Sequence, residues 1–264
     1  MELYLRIAQN TWHETFAYRI SFIIWRVRFV LQVLTLYVLW IAVIPKDGNL
    51  FGYSQSLMLT YIIGTSLIGT LVMSSKTVNI GSEINEGQLS SHLLKPVHYL
   101  VYYFVKDIGD KGINVVFAIG ELLLLFIFLR PPLFFQTDLV IISLSIIATL
   151  LALLLYFFFS ALMGLFGFWS NETWGPRFIF FQLLMFFSGG LFPLDILPKT
   201  FFELIAFLPF PYLMYFPLKI YLGQLAFPEV IKGIAIALVW IFVMYKITLF
   251  SWQKGLRVYT AQGS

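Results

Sequence analysis

Residues 139–171 read LVIISLSIIATLLALLLYFFFSALMGLFGFWSN, a run from Leu139 to Asn171 with no charged side chain and no Gly or Pro before Gly164. It is too short for two crossings joined by a turn. It therefore reads as one long transmembrane helix that protrudes beyond about 30 Å of hydrocarbon. The rest of the chain has the same character: of 264 residues, 60% are hydrophobic, 19% aromatic and 11% charged. Soluble domains run at about 45–50% apolar and about 25% charged. Too few polar side chains remain to cover a globule in water, so lipid is the solvent for most of the chain. Zero Cys excludes a disulfide scaffold, Cys-based metal sites and thiol catalysis. The net charge of +4 fits the basic excess of cytoplasmic loops and is no nucleic-acid footprint.

Working outward from 139–171, four further stretches are long and apolar enough to cross. Phe29 to Pro45, Gly48 to Ser75 and Phe178 to Leu194 carry no charge, and Gly112 to Leu129 carries only Glu121. A sixth runs from about Val230 to Phe250, with Lys232 and Lys246 near its ends, where ammonium groups snorkel to the interface. With both termini cytoplasmic, the inner side holds Arg6, Arg19, Arg26, Arg28, Lys76, Lys95, Lys106, Lys111, Arg177, Lys246, Lys254 and Arg257. The outer side keeps only Lys46, Arg130, Lys199, Lys219 and Lys232, the bias that positive-inside topology requires. Residues 1–28 lack the core of a signal peptide. On a helical wheel Leu5, Trp12, Phe16, Ile20, Ile23 and Val27 share one side and Arg6, Asn10 and Glu14 another, which predicts an interfacial helix.

Chemistry is sparse. His13, His92 and His98 do not converge or show metal-ligand spacing, and no phosphate-binding Gly-x-x-x-x-Gly-Lys-Ser/Thr occurs. No catalytic, cofactor or metal residue is assigned to this chain, and any ATP dependence falls to another subunit. Glu121 is the one carboxylate near the middle of a span; it is either an ion or transport-path site, or the hydrogen-bonding partner of a neighbouring helix or subunit.

Two segments stand apart. Residues 78–98 are too polar for the bilayer: Gly87 can end one short helix, Ser90 or Ser91 can cap another, and Pro96 disfavours helix at Lys95. Two helical pieces at a bend would present Leu89, Leu93 and Leu94 as an apolar ridge flanked by Glu83, Glu86 and Lys95, suited to a groove on a soluble partner. The other segment, 193–228, holds Pro193, Pro198, Pro209, Pro211, Pro217 and Pro228, over half of the 11 prolines. Its apolar pieces 201–208 and 212–222 are too short to cross, which predicts an outward re-entrant helical hairpin entered through Gly189 and Gly190.

At these segments the chain resembles the membrane subunits of type-2 ATP-binding-cassette (ABC) exporters. Glu86-Gly87-Gln88-Leu89 with Leu93-Leu94-Lys95-Pro96 resembles their coupling-helix region, and Phe187-Ser188-Gly189-Gly190-Leu191-Phe192-Pro193 with Leu197-Pro198 resembles their motif entering the outer hairpin. The resemblance implies an all-α polytopic membrane protein with six spans, an N-terminal interfacial helix and an outward re-entrant hairpin between spans five and six. It implies a permease without enzymatic activity of its own, in the cell membrane. Such a permease pairs with a second permease subunit, identical or different, and with cytoplasmic ABC ATPases that hold ATP and Mg. On that resemblance Glu83, Ile84, Glu86, Gly87, Gln88, Leu89, Leu93, Leu94, Lys95 and Pro96 are the expected ATPase-coupling residues, and Gly189, Gly190, Pro193 and Pro198 the expected outer gate. The expected cargo is a hydrophobic or amphipathic drug, lipid or peptide, and membrane lipids surround the spans. The alternatives are a gradient-driven transporter or channel subunit using Glu121, and, with least support, a membrane enzyme of lipid metabolism.

Overall fold

The computed structural model describes residues 2–17, 19–45 and 48–260. Lys46, assigned to the outer side, and the end of the chain from 261 lie outside the described residues, as does the side chain of Arg19. The described chain is almost wholly α-helical, apart from a small hairpin of β1 (Asn49–Leu50) and β2 (Tyr53–Ser54), with Leu50 facing Tyr53 in antiparallel register. Five helices are long and apolar enough to cross a membrane: Phe22–Val43, Gln55–Met73, Tyr99–Leu129, Leu139–Phe168 and Phe227–Val258. Their exposed faces carry side chains such as Ile24, Leu124, Phe128, Leu150 and Phe242. Such a surface is stable only in lipid, and the protein is a multi-pass membrane protein.

The N-terminal region departs from a single interfacial helix over 1–28. Helix α1 (Glu2–Ala17) is separate, and α2 (Arg19–Val43) already contains residues 19–28 as the foot of the first long helix. Small and hydroxylic residues turn α1 toward the protein: Thr11 and Thr15 are buried and Ala8 lies against Gly109, while Leu5, Phe16, Ile20, Ile23 and Val27 face outward. Close approach through small residues is how helices associate in lipid. The Trp12 indole donates to the Gly109 carbonyl at 2.9 Å, and Lys106 pairs with Glu14 at 3.0 Å.

Helix α3 (Gln55–Met73) starts later than Gly48, after the β-hairpin, with the Ser54 hydroxyl accepting from the Leu57 N–H. A 3-10 turn (Lys76–Asn79), α4 (Ile80–Asn85) and α5 (Leu89–Leu93) follow. Helix α6 (Tyr99–Leu129) begins 13 residues before the expected Gly112 and takes Lys106, Asp107, Asp110 and Lys111 into its helical body. These charges enter because each meets a partner, as described below. Helix α7 (Leu139–Leu165) is the single long helix read from the sequence, capped at its start by the Asp138 carboxylate. Its 27 residues span about 40 Å at 1.5 Å per residue.

The stretch expected to make the fifth crossing folds as α8 (Trp174–Phe187), only 14 residues and about 21 Å long, and is not among the five helices long enough to cross. Glu172 fixes its start by accepting from the Trp174 and Gly175 N–H groups, and Ser188-Gly189 ends it, with Gly189 at φ +80°. Beyond it a 3-10 turn (Leu194–Ile196), α9 (Lys199–Ala206) and α10 (Tyr215–Tyr221) make up the proline-rich segment. Helix α11 (Phe227–Val258) closes the bundle against α7 and runs past both ends of the expected 230–250. Residues 215–220 of α10 are buried throughout. The helix seats because Gly64 and Gly233 lack side chains; a Cβ would lie 2.4 Å from Leu218 and 2.2 Å from the Phe216 ring.

Candidate functional site

The segment after α3 folds into an elbow. Gly87, at φ +75°, makes the bend between α4 and α5 that the sequence calls for. Neither Ser90 nor Ser91 caps α5, a correction to the expectation: the residue at the cap is Gln88, Ser91 Oγ donates to its carbonyl, and Ser90 faces Tyr259. The Tyr259 hydroxyl staples the bend, donating to the Gly87 carbonyl at 2.9 Å and accepting from the Ser90 N–H at 3.2 Å. Glu83 accepts from Tyr99 Oη at 2.7 Å and from Tyr103 Oη at 2.5 Å, with His92 Nε2 3.6 Å away. Burial, and the charges of Lys95 and Lys106, hold the His92 imidazole below its usual pKa against the pull of Glu83. Asn85 Nδ2 donates to the Ser170 and Asn171 carbonyls, tying α4 to the end of α7. There α4 approaches backbone to backbone: a Cβ on Gly167 would sit 2.8 Å from Gly81 Cα, and one on Gly164 2.7 Å from the Thr77 oxygen.

The elbow residues divide in two. Ile84 and Leu89 are buried in a cluster with Ile80, Tyr103, Leu165 and Trp252. Leu89 thus leaves the expected ridge; at 0% exposure it anchors the elbow to the bundle. Leu94 is 89% exposed and Leu93 46%. With Glu86, Gln88, Lys95 and Pro96 also at the surface, they form the outward tip. Lys95 lies over the Tyr102 ring at 5.8 Å, and Gln88 donates to Glu86 at 2.6 Å.

Beneath the elbow lies a buried polar layer that charge counting had placed in a loop. Asp107 accepts from Ser75 Oγ at 2.9 Å and the Lys76 N–H at 2.6 Å; Lys76 pairs with Asp110 at 3.0 Å. Lys111 donates to the carbonyls of Val72 and Ser74, the end of α3. Thr77 donates to Ser160 at 2.5 Å, and Arg177 of α8 donates to the same hydroxyl at 2.7 Å. Helices α3, α6, α7 and α8 therefore meet the elbow through one hydrogen-bonded layer. The sequence signal for it is opposite charges at i, i+4, Lys106 with Asp110 and Asp107 with Lys111; nothing in the sequence marks Tyr259 or Ser160.

At the opposite end, the Ser188-Gly189-Gly190 turn is held from two sides. Tyr61 Oη donates to the Gly189 carbonyl at 2.7 Å, and the Tyr215 N–H donates to the Ser188 carbonyl at 2.9 Å. Pro193 is buried ahead of the 3-10 turn, and Pro198 starts α9. Lys219 is buried: it pairs with Asp195 at 2.8 Å and donates to Tyr53 Oη at 2.9 Å and Gln224 at 2.6 Å. Burial and the neighbouring Asp195 carboxylate raise the pKa of the Tyr53 phenol far above its ordinary value.

Glu121 does not join either end. Arg26 of α2 grips it with two parallel hydrogen bonds, Nε to Oε1 at 2.6 Å and Nη2 to Oε2. Of the readings open for Glu121, the structure supports the partner on a neighbouring helix. Close by, a cavity of about 200 Å³ opens between α2, α3 and α8, reaching from Ser74 and Asn114 to Gly190 and Met214. Among the described residues no group of three or more His, Cys, Asp or Glu converges as a metal site.

The arrangement thus comprises a stapled elbow with an exposed tip, a polar layer joining it to four helices, a cavity, and a proline-rich segment whose α10 is buried. A comparison with curated proteins gives no match. Residues 30–263, from within α2 through α11 and beyond, match the family model described as ABC-2 family transporter protein. The chain belongs to that family, and is a membrane component of ABC transport rather than its catalytic subunit.

Proposed function

We propose that this chain is the permease of an ATP-driven exporter, and that the elbow of residues 78–98 is where a cytoplasmic ABC ATPase, loaded with ATP and Mg, docks. The observation that carries the reading is the division within the elbow: Ile84 and Leu89 are rooted in the bundle while Leu93 and Leu94 stay uncovered at its tip. A lever needs both a fixed root and a free contact. Glu83, Glu86, Gly87, Gln88, Lys95 and Pro96 shape that contact, and the polar layer passes its movement to α3, α6, α7 and α8.

Both termini lie on the cytoplasmic side of the cell membrane in this reading, as the Lys and Arg distribution requires. Counting α8, six helices cross, and 193–228 is a re-entrant hairpin entered from outside. Its depth supports this: Met214 reaches Gly69, 14 residues into α3 and about 21 Å from that helix's start. The cavity runs from Met214 and Gly190 toward Ser74, which supports reading this state as inward-facing, with Gly189, Gly190, Pro193 and Pro198 as the closed outer gate. ATP binding would favour the outward-open or occluded state through the elbow. A second permease subunit, identical or different, completes the path for a hydrophobic or amphipathic substrate. The gradient-driven alternative loses its free carboxylate because Arg26 holds Glu121.

The test is substrate-stimulated ATP hydrolysis by the complex purified from its own membranes. Leu94→Asp should abolish the stimulation while leaving the permease folded, and unchanged stimulation would remove the docking assignment. Glu121→Gln transport driven by an imposed proton or sodium gradient gives the counter-test: transport lost only in that variant would revive the alternative.

A further inference from the structure

The cavity between α2, α3 and α8 is lined by charge of one sign. Two arginines line it, Arg26 and Arg28, and no Asp or Glu does. Arg26 is neutralised by Glu121 behind it. Arg28 is exposed and has no carboxylate partner among the described residues; its guanidinium lies over the Trp25 ring at 4.9 Å. At the same end, the Ser74 hydroxyl is buried without a hydrogen-bond partner. A buried hydroxyl left unpaired is unfavourable, and a guanidinium fork matches carboxylate, sulfonate and phosphate oxygens. The opposite end is apolar, with Phe181, Met185 and Met214. Methionine side chains adapt to differing apolar shapes.

We propose that this cavity binds an anionic amphiphile, its acidic head on Arg28 and Ser74 and its apolar body along Phe181, Met185 and Met214. The assignment rests on the reading of this cavity as part of the transport path, and sharpens it from any amphipathic cargo to one sign of charge. A cation of the same shape would meet the uncompensated charge of Arg28 with no carboxylate to balance it. The acidic head can belong to a bilayer lipid or to a separate cargo, and the chemistry of recognition is the same for both.

The test is binding to the purified full-length chain in uncharged phosphatidylcholine nanodiscs, without ATP or ATPase. Two fluorescent probes are compared, pyrenyldodecanoate and pyrenyldodecyl-trimethylammonium, which share a body and differ in head charge. The carboxylate should bind roughly tenfold or more tightly, the effect of one charge-assisted contact. Arg28→Gln should erase the preference and Arg28→Lys should keep part of it, with unfolding midpoints confirming a folded chain. Equal or reversed preference in the native sequence overturns the proposal, and that comparison decides alone if Arg28→Gln does not fold. A preference that survives in folded Arg28→Gln also overturns it. Displacement of the carboxylate probe by phosphatidylglycerol would identify a bilayer lipid as the occupant, and lack of displacement a separate cargo; both uphold the site. Because no step uses ATP, a charge preference without ATP-driven export would sink the exporter reading alone, and export without the preference would sink this one alone.

Discussion

The elbow at 78–98 and the proline-rich segment at 193–228 are both short helices joined by sharp turns, yet they bury different shares of their apolar side chains. The proline-rich segment buries its second helix from Tyr215 to Ile220 and closes that helix's ammonium group, Lys219, onto Asp195, Tyr53 and Gln224, while Lys199 and Leu204 of α9 stay exposed. The elbow buries only its root and leaves Leu94 almost fully uncovered. A segment that seals a path gains from contact wherever it faces the other helices, as α10 does. A segment that meets a separate subunit must keep one side for it. Under the proposed function the same short-helix architecture would serve a seal at one end and a contact at the other, and the difference lies in burial, not in secondary structure.

The contrast can be broken most severely at the seal. Gly189→Val places a β-branched residue at φ +80°, with its Cβ 2.5 Å from Tyr61 Oη and 3.0 Å from Tyr215. A destabilisation of about 3–5 kcal/mol is expected, seen as loss of folded protein in detergent unfolding curves. Next in size, Lys219→Met leaves the Asp195 carboxylate and Tyr53 Oη without their cation, for a loss of about 2–3 kcal/mol by the same measurement. At the elbow the effects are smaller and local. Tyr259→Phe removes the hydroxyl shared by Gly87 and Ser90, a change of about 1 kcal/mol that should raise hydrogen exchange over residues 85–93 and leave the hairpin unchanged.

Smallest is a pH effect. The folded state depresses the His92 pKa, so between that value and the ordinary one of about 6.5 the folded chain binds fewer protons than the unfolded chain. The stability this gives is complete above about 6.5 and is lost as pH falls through the folded pKa. The fall in midpoint from pH 7.5 to 5.5 should therefore be smaller in His92→Gln than in the native sequence.

How much of this was legible in the sequence depends on range. The long helix from Leu139 was plain because no charge or breaker interrupts it, and the bend at Gly87 because glycine tolerates the conformation it requires. The start of α6 was not: Lys106, Asp107, Asp110 and Lys111 precede the run that begins at Gly112, and only partners far off in the chain, Glu14, Ser75, Lys76 and the end of α3, make them helix interior. Leu89 and Leu94 look alike in sequence, since a helix of 5 residues is too short for its periodicity to say which side meets the bundle. The short α8 follows from Glu172 and Gly189 fixing its two ends, whereas an apolar run marks only composition. For Glu121, the sequence supplied the charge; the identity of its partner, Arg26, lay 95 residues away.

The measurement that tests the central claim most directly is site-specific photocrosslinking in native membranes from two positions, Leu94 at the elbow tip and Leu204 on the exposed face of α9. The account predicts that a crosslinker at 94 captures a P-loop ATPase, identified by mass spectrometry, and that one at 204 captures none. Capture at 204 but not at 94, or a folded permease at native abundance that yields no ATPase from 94, would contradict it.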